Sequence, residues 1–177
     1  MEQAKVELLV IEMQQGSEPA FKEVFDYFQP MLLRFAYKTC RNEQMAKDAV
    51  QNSWLKIVTS IKKLEDPRRF KSWIYQMVRW QSLDLIKKAN NEKIDFTDME
   101  VNEGELNSNK VDEKENSLLA IIDLLPDIDR QAIYLFYLEQ MPIKDIAIIL
   151  SIPIGTVKSR LNRARNTLKV KLQSLGE

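Results

Sequence analysis

The sequence predicts an all-α protein built as two small helical domains joined by a flexible acidic linker. Three observations predict it. Apolar residues recur at spacings of three and four through most of the chain, and nothing reads as a strand. Proline and cap-forming residues punctuate these apolar segments at helix-length intervals. From Asn90 to Asn116 the pattern lapses into a run of Asn, Asp, Glu and Ser. There Ile94, Phe96, Met99, Val101 and Leu106 share no sustained period, too little apolar surface to fold alone. The expected divisions are residues 1–89, 90–116 and 117–177.

In the first domain, Val6, Leu9, Val10 and Met13 form a stripe that Gly16-Ser17 ends. Ser17 suits the N-cap of a second helix, with Pro19 in its first turn. Phe21, Val24, Phe25 and Phe28 carry that helix to Pro30, which is expected to kink or break it. Asn42 can cap a third helix whose broad face holds Ala46, Ala49, Val50, Ser53, Trp54, Ile57 and Ile61. Asp66-Pro67 reads as cap and first residue of a fourth, running to about Lys88.

In the second domain, Ser117 opens a helix bearing Leu118, Ile121, Ile122 and Leu125, stopped by Pro126. Asp127 is expected to cap the next, which contains Ile128, Ile133, Leu135, Phe136 and Leu138. Pro142 to Leu150 is a short helix, and a tight Ser151-Ile152-Pro153 turn feeds the last one. In that last helix Val157, Leu161, Ala164, Leu168 and Leu172 form an apolar stripe on which Ile146, Ala147 and Leu150 can pack. Lys158, Ser159, Asn162 and Arg163 fall together on another face. Two short helices across a tight turn make a helix-turn-helix. Its second helix then offers cations for phosphate and polar groups for base edges. The competing interpretation is an ordinary solvated basic face.

Composition narrows the function classes. Apolar content of 45% with 29% charged residues describes a soluble globular protein, and no apolar run reaches the length of a membrane span. Met1 to Lys5 lacks a basic region leading into an apolar core, so no signal peptide is expected. One cysteine cannot form an internal disulfide, which fits a cytoplasmic protein, and Cys40 sits on a helical apolar pattern as a structural thiol. The chain has no histidine, which removes His-assisted catalysis and the commonest transition-metal ligand. Four glycines cannot supply a glycine-rich phosphate loop. No catalytic residue, metal or cofactor is expected, and the chain does not read as an enzyme.

The net charge of zero conceals a division. Met141 to Glu177 carries +5, Lys62 to Lys88 carries +5, and Asn90 to Asn116 carries −6. Two basic segments flanking an acidic one speak about partners. The first basic segment interleaves cations with aromatics: Arg68, Arg69, Phe70, Lys71, Trp73, Arg79 and Trp80. Flat rings among cations suit single-stranded nucleic acid, each base–aromatic stack contributing about 1–3 kcal/mol. Spacing alone favours the alternative, in which Phe70, Ile74, Met77 and Val78 are core; Phe70 fits either role.

Together these motifs resemble the extracytoplasmic-function (ECF) group of sigma-70-type bacterial sigma factors, over nearly the whole chain. Asp48-Ala49-Val50-Gln51-Asn52 is similar to the family's segment for the β′ clamp helices of RNA polymerase. Phe70-Lys71-Ser72-Trp73-Ile74-Tyr75, followed by Asp84, resembles its −10 recognition and melting helix. Leu125-Pro126, Asp145-Ile146-Ala147, Gly155 to Leu161 and Arg163-Ala164-Arg165 resemble its −35 domain. The resemblance implies a sigma factor that binds core polymerase through the β′ clamp helices and β flap. It implies −35 contacts from Lys158, Ser159, Arg160, Asn162 and Arg163, and −10 single-strand contacts from Arg68, Arg69, Phe70, Lys71, Trp73, Arg79 and Trp80. Asp48, Gln51 and Asn52 would face polymerase. The acidic linker would thread toward the RNA path, and an anti-sigma protein is an expected partner.

Three positions depart from the family pattern. Trp80 stands where Asn is usual, so base capture there would rely on stacking or the −10 preference would differ. Asn52 replaces a usual Glu, and Asp145 a usual Glu. The alternatives are a self-sufficient helix-turn-helix regulator, dimeric on duplex operators, and a protein-interaction module that grips acidic partners. The first half of the chain discriminates them, since a regulator needs a dimer face or ligand pocket there.

Overall fold

The computed structural model describes residues 1–95 and 120–175. These residues are helices and connecting turns, with no strand among them. Residues 1–91 and 92–177 form two compact units. The acidic segment expected to link the domains lies outside the described residues from 96 onward, as does the Ser117 helix start.

The first unit holds α1 (Gln3–Gln14), α2 (Glu18–Cys40), α3 (Glu43–Ser60) and α4 (Phe70–Asp95). Capping chemistry sets its boundaries. Ser17 Oγ accepts from the Ala20 N–H at 3.3 Å, and Asn42 Oδ1 from the Met45 N–H at 2.8 Å. Helix α2 closes with Arg41 in the left-handed region, φ 52°, its N–H donating to the Tyr37 carbonyl at 2.8 Å. Asp66 caps a short 3₁₀ turn over Pro67–Arg69 that leads into α4. Gln14 ties α1 to the chain between α3 and α4, donating to the Ile61 and Leu64 carbonyls at 3.0 and 2.7 Å.

Of the kink or break expected at Pro30, the break does not occur: α2 runs through it to Cys40. Pro30 and Asp26 lie on the exposed side, so the carbonyl that loses its donor faces water. Phe28, Leu32 and Phe35, on either side of the proline, are fully buried and anchor the helix before and after it. The core of this unit joins them to Val10, Val24, Ile57, Phe70, Ile74, Tyr75 and Val78.

The second unit holds a helical turn over 120–123, α5 (Asp127–Ile133), α6 (Ile143–Leu150) and α7 (Ile154–Leu175). Asp127 is not the cap of α5: Pro126 occupies that position and Asp127 is the first helical residue. Its carboxylate instead accepts from Arg130 Nη2 at 2.7 Å. The guanidinium of Arg130 is fully buried and also donates to the Leu125 carbonyl at 3.1 Å, so its charge is paired with the outer carboxylate while its own side chain is out of water. Beyond Ile133 the backbone widens into a π turn over Tyr134–Leu138, with the Glu139 N–H reaching the Tyr134 carbonyl. Val157, Leu161 and Ala164 of α7 pack with Ile146, Ile149 and Leu150 of α6 in one small core. Further along the stripe Leu168 is half-buried and Leu172 exposed.

Candidate nucleic-acid interface

The turn between α6 and α7 orients the basic helix. Ser151 adopts the left-handed conformation, φ 55°. Its N–H donates to the Ile148 carbonyl, while the Ile152 N–H donates to the Ala147 carbonyl. This crossed pair is a Schellman closure, which satisfies the last carbonyls of α6. Pro153 then starts the next helix, its carbonyl accepting from the Val157 N–H at 3.0 Å. Two helices result with their apolar sides buried together and the outer side of α7 facing solvent.

Lys158, Ser159, Asn162 and Arg163 are all exposed and share that outer side, while Arg160 is half-buried at its edge. Lys158 and Asn162 engage no hydrogen-bond or ion-pair partner among the described residues. Ser159 Oγ donates to the Thr156 carbonyl at 2.9 Å, which leaves its lone pairs outward. The two arginines are committed inward, to Asp129 in the first turn of α5. Arg163 Nε and Nη2 reach Asp129 Oδ2 at 2.8 and 2.6 Å, and Arg160 Nη1 reaches Oδ1 at 3.4 Å. Arg165 lies apart, donating to the Tyr137 hydroxyl at 2.6 Å with its guanidinium over the Phe136 and Tyr137 rings.

In the first unit, the cation-and-aromatic segment divides by helical face. Phe70, which suited either role in sequence, is fully buried, edge-on to Phe28 at 5.6 Å and 6.1 Å from the Trp73 ring. Arg79 is also buried, and loss of water pushes its pKa down. Neither presents a free ring or charge to solvent. Trp80 is 53% exposed, Trp73 and Lys71 are half-buried, and Arg68 and Arg69 are exposed. Seven residues is nearly two full turns, so Trp73 and Trp80 lie on one face of α4. Asp66 orients Arg68 with a two-pronged pair, Nε and Nη2 on Oδ1 and Oδ2 at 2.9 and 3.1 Å. That hydrogen bond lowers the Asp66 pKa and raises that of Arg68. Asp84 is also held ionised below its ordinary range by Lys88.

On α3, Asp48 and Asn52 are half-buried and Gln51 is exposed. Asp48 accepts from Gln44 at 2.9 Å. Gln51 borders a groove of about 480 Å³ between α2 and α3, with Phe21, Phe25, Trp54, Leu55 and Val58. Leu55 and Val58 are more than half exposed there, an apolar rim beside polar side chains. Asp129 and Arg130 have no counterpart in the sequence expectations. Asp129 is 31 and 34 residues from its partners, and a lone Asp in a helical first turn reads as dipole compensation. The only local hint is Asp127–Arg130 at i, i+3.

Residues 24–92 match the family model for sigma-70 region 2, and residues 115–168 that for sigma-70 region 4. Among curated proteins the chain is similar to the ECF RNA polymerase sigma-E factor of Haemophilus influenzae, 30% identical over 98% of each chain. It is also similar to the ECF RNA polymerase sigma factor SigW of Bacillus subtilis, 27% identical over 93% of this chain and 95% of that one. Among solved structures, the Bartonella quintana sigma factor RpoE, crystallised with the anti-sigma factor NepR, superposes with a TM-score of 0.69 at 26% identity. That match covers 86% of this chain and 96% of RpoE. CnrH, in complex with the cytosolic domain of CnrY, gives the same TM-score at 18% identity over 96% of this chain and 98% of CnrH, a likeness of fold.

Proposed function

The chain belongs to the extracytoplasmic-function group of sigma-70-type RNA polymerase sigma factors, proteins of promoter recognition and transcription initiation, and from that premise we propose how its surfaces divide the work. Helix α7 enters the −35 major groove, with Lys158, Ser159 and Asn162 toward base edges and Arg160 and Arg163 toward the backbone. The observation that carries this is an outer face of α7 whose Lys158 and Asn162 hold no partner among the described residues, on a helix fixed by its buried stripe. Such side chains can meet DNA without first breaking a protein contact.

Residues 1–89 act on polymerase and on the −10 element. Arg68, Arg69 and Lys71 attract the non-template strand, and Trp73 and Trp80 offer ring faces for its unpaired bases. Phe70 and Arg79 serve from inside, Phe70 holding α4 against Phe28 of α2. Asp48, Gln51 and Asn52 meet the β′ clamp helices beside the apolar rim of Leu55 and Val58. Residues 90–116 carry negative charge toward the RNA path, and residues 117–177 take the −35 element and the β flap. The protein performs no chemistry of its own and works in the cytoplasm, where core polymerase is. An anti-sigma protein restrains it, a role supported by the anti-sigma factor NepR that accompanies the similar RpoE.

Multi-round transcription from a pool of host genomic fragments, with core polymerase in the presence and absence of the chain, tests the proposal. New discrete start sites that require the protein, with shared sequence near −35 and −10, are expected. Retention of duplex fragments without polymerase, and no new transcripts, would instead indicate a stand-alone helix-turn-helix regulator.

A further inference from the structure

Resting on the −35 role proposed for α7, we infer that Asp129 is a positioning residue for promoter reading: from within the domain it holds Arg160 and Arg163, and so leaves base discrimination to Lys158, Ser159 and Asn162. Asp129 is 1% exposed, yet its partners stem from the exposed side of α7 and its edge, Arg163 exposed and Arg160 half-buried. Arg163 places Nε and Nη2 on the same oxygen, which fixes the plane of its guanidinium as well as its position. Arg160 takes the other oxygen. The two arginines are about one turn apart, so a shared carboxylate on α5 ties both side chains of a helix already seated by its buried stripe. Water does not compete for a carboxylate buried to this degree, so the clasp holds on a solvated surface where an ordinary surface ion pair would exchange freely.

The charge balance has a consequence for specificity. One buried negative charge against two positive ones leaves the pair with a net single charge, directed by geometry. Released, the two guanidiniums become flexible full charges that grip phosphate wherever it lies. Phosphate contacts supply affinity without sequence information. Asp129 therefore trades non-specific grip for orientation, whereas a purely structural ion pair would alter folding stability alone.

The test uses holoenzyme reconstituted from the full chain and core polymerase. Binding to a cognate promoter fragment is compared with binding to one whose −35 hexamer is scrambled, across a salt series. Asp129→Asn is expected to reduce the matched-to-scrambled ratio roughly tenfold, mostly by tighter binding to the scrambled fragment. Its salt slope should steepen by about one, as a freed guanidinium reaches another phosphate. Asp129→Glu keeps the charge but displaces both arginines by one methylene. It should lose part of the selectivity with the slope unchanged. Native melting with unchanged ratio and slope in Asp129→Asn would overturn the positioning role. Should Asp129→Asn not fold, undiminished selectivity in folded Asp129→Glu overturns it instead. Lys158→Ala with Asn162→Ala separates the two levels. If that double variant leaves the ratio intact, the −35 assignment itself fails and Asp129's role with it. If it lowers the ratio while the Asp129 variants do not, only the positioning role fails.

Discussion

Phe70 and Trp80 lie on one helix, ten residues apart, and their burial predicts opposite phenotypes. Phe70 is 0% exposed. Phe70→Ala removes a ring whose deletion from a core costs about 3–5 kcal/mol. The upper end applies, because Phe28 at 5.6 Å and Trp73 at 6.1 Å each lose an aromatic partner, about 0.5–1.5 kcal/mol a pair. A unit of 91 residues has a total stability of about 5–14 kcal/mol, so Phe70→Ala removes at least roughly a third of it. Phe70→Leu keeps the core filled at a cost of about 1.5 kcal/mol and removes the π face. Trp80 is 53% exposed, so Trp80→Ala gives up no more than about 2 kcal/mol of burial. It also removes a stacking platform with a contribution of about 1–3 kcal/mol, roughly a 5- to 150-fold loss in capture of the opened strand. Urea melts of the free protein measure the first quantity. Fluorescence of a 2-aminopurine placed in the −10 non-template strand, with holoenzyme, measures the second. Phe70→Leu is expected to melt earlier yet open promoters normally, and Trp80→Ala to open them poorly whatever its melting shift. Normal melting with lost opening in Phe70→Leu, beside undisturbed opening in Trp80→Ala, would refute the division of roles.

Ser151 holds a left-handed conformation in which an L side chain is strained and glycine is not. Ser151→Gly should stabilise the second unit by about 0.5–1 kcal/mol, seen as a thermal midpoint a few degrees higher. Lys158→Ala should weaken promoter binding by holoenzyme: a flatter salt slope by about one identifies a phosphate contact, and a loss of about 1–3 kcal/mol at one −35 position identifies a base contact. Asp66 has its folded pKa lowered by Arg68, so its stabilisation is present above the ordinary 3.8 and disappears as pH falls through the lower folded value. In acid titration monitored by circular dichroism, Asp66→Asn should therefore differ from wild type in neutral solution and converge with it in acid. Burial pushes the Cys40 thiol above its ordinary 9.0, outweighing the opposing pull of the neighbouring Ser82 hydroxyl. Iodoacetamide at pH 8 should label Cys40 slowly in the native protein and rapidly in urea.

Local signals in the sequence were sufficient for the helices, because periodicity and capping act over three or four residues. Ser17 and Asn42 cap the helices expected of them, and Val157, Leu161 and Ala164 form the buried side of α7. The helix-turn-helix was legible for the same reason, as was the family, since its motifs are short and contiguous. What lay beyond reach depends on contacts between distant segments. Pro30 is a breaker by its own chemistry, and only the packing of Phe28, Leu32 and Phe35 carries α2 through it. Phe70 and Arg79 sit among exposed cations and aromatics in the chain, and the rotation of α4 on the core of its unit decided that they face inward. Asp127 satisfied a capping rule, but the buried guanidinium of Arg130 drew its carboxylate away. Asp129 acquires its importance from arginines more than thirty residues later, which fold beside it when α7 packs on α5. Helix identity is a short-range free-energy balance and is written locally; which side chains are buried, and which charges meet there, is settled when the helices close on a common core.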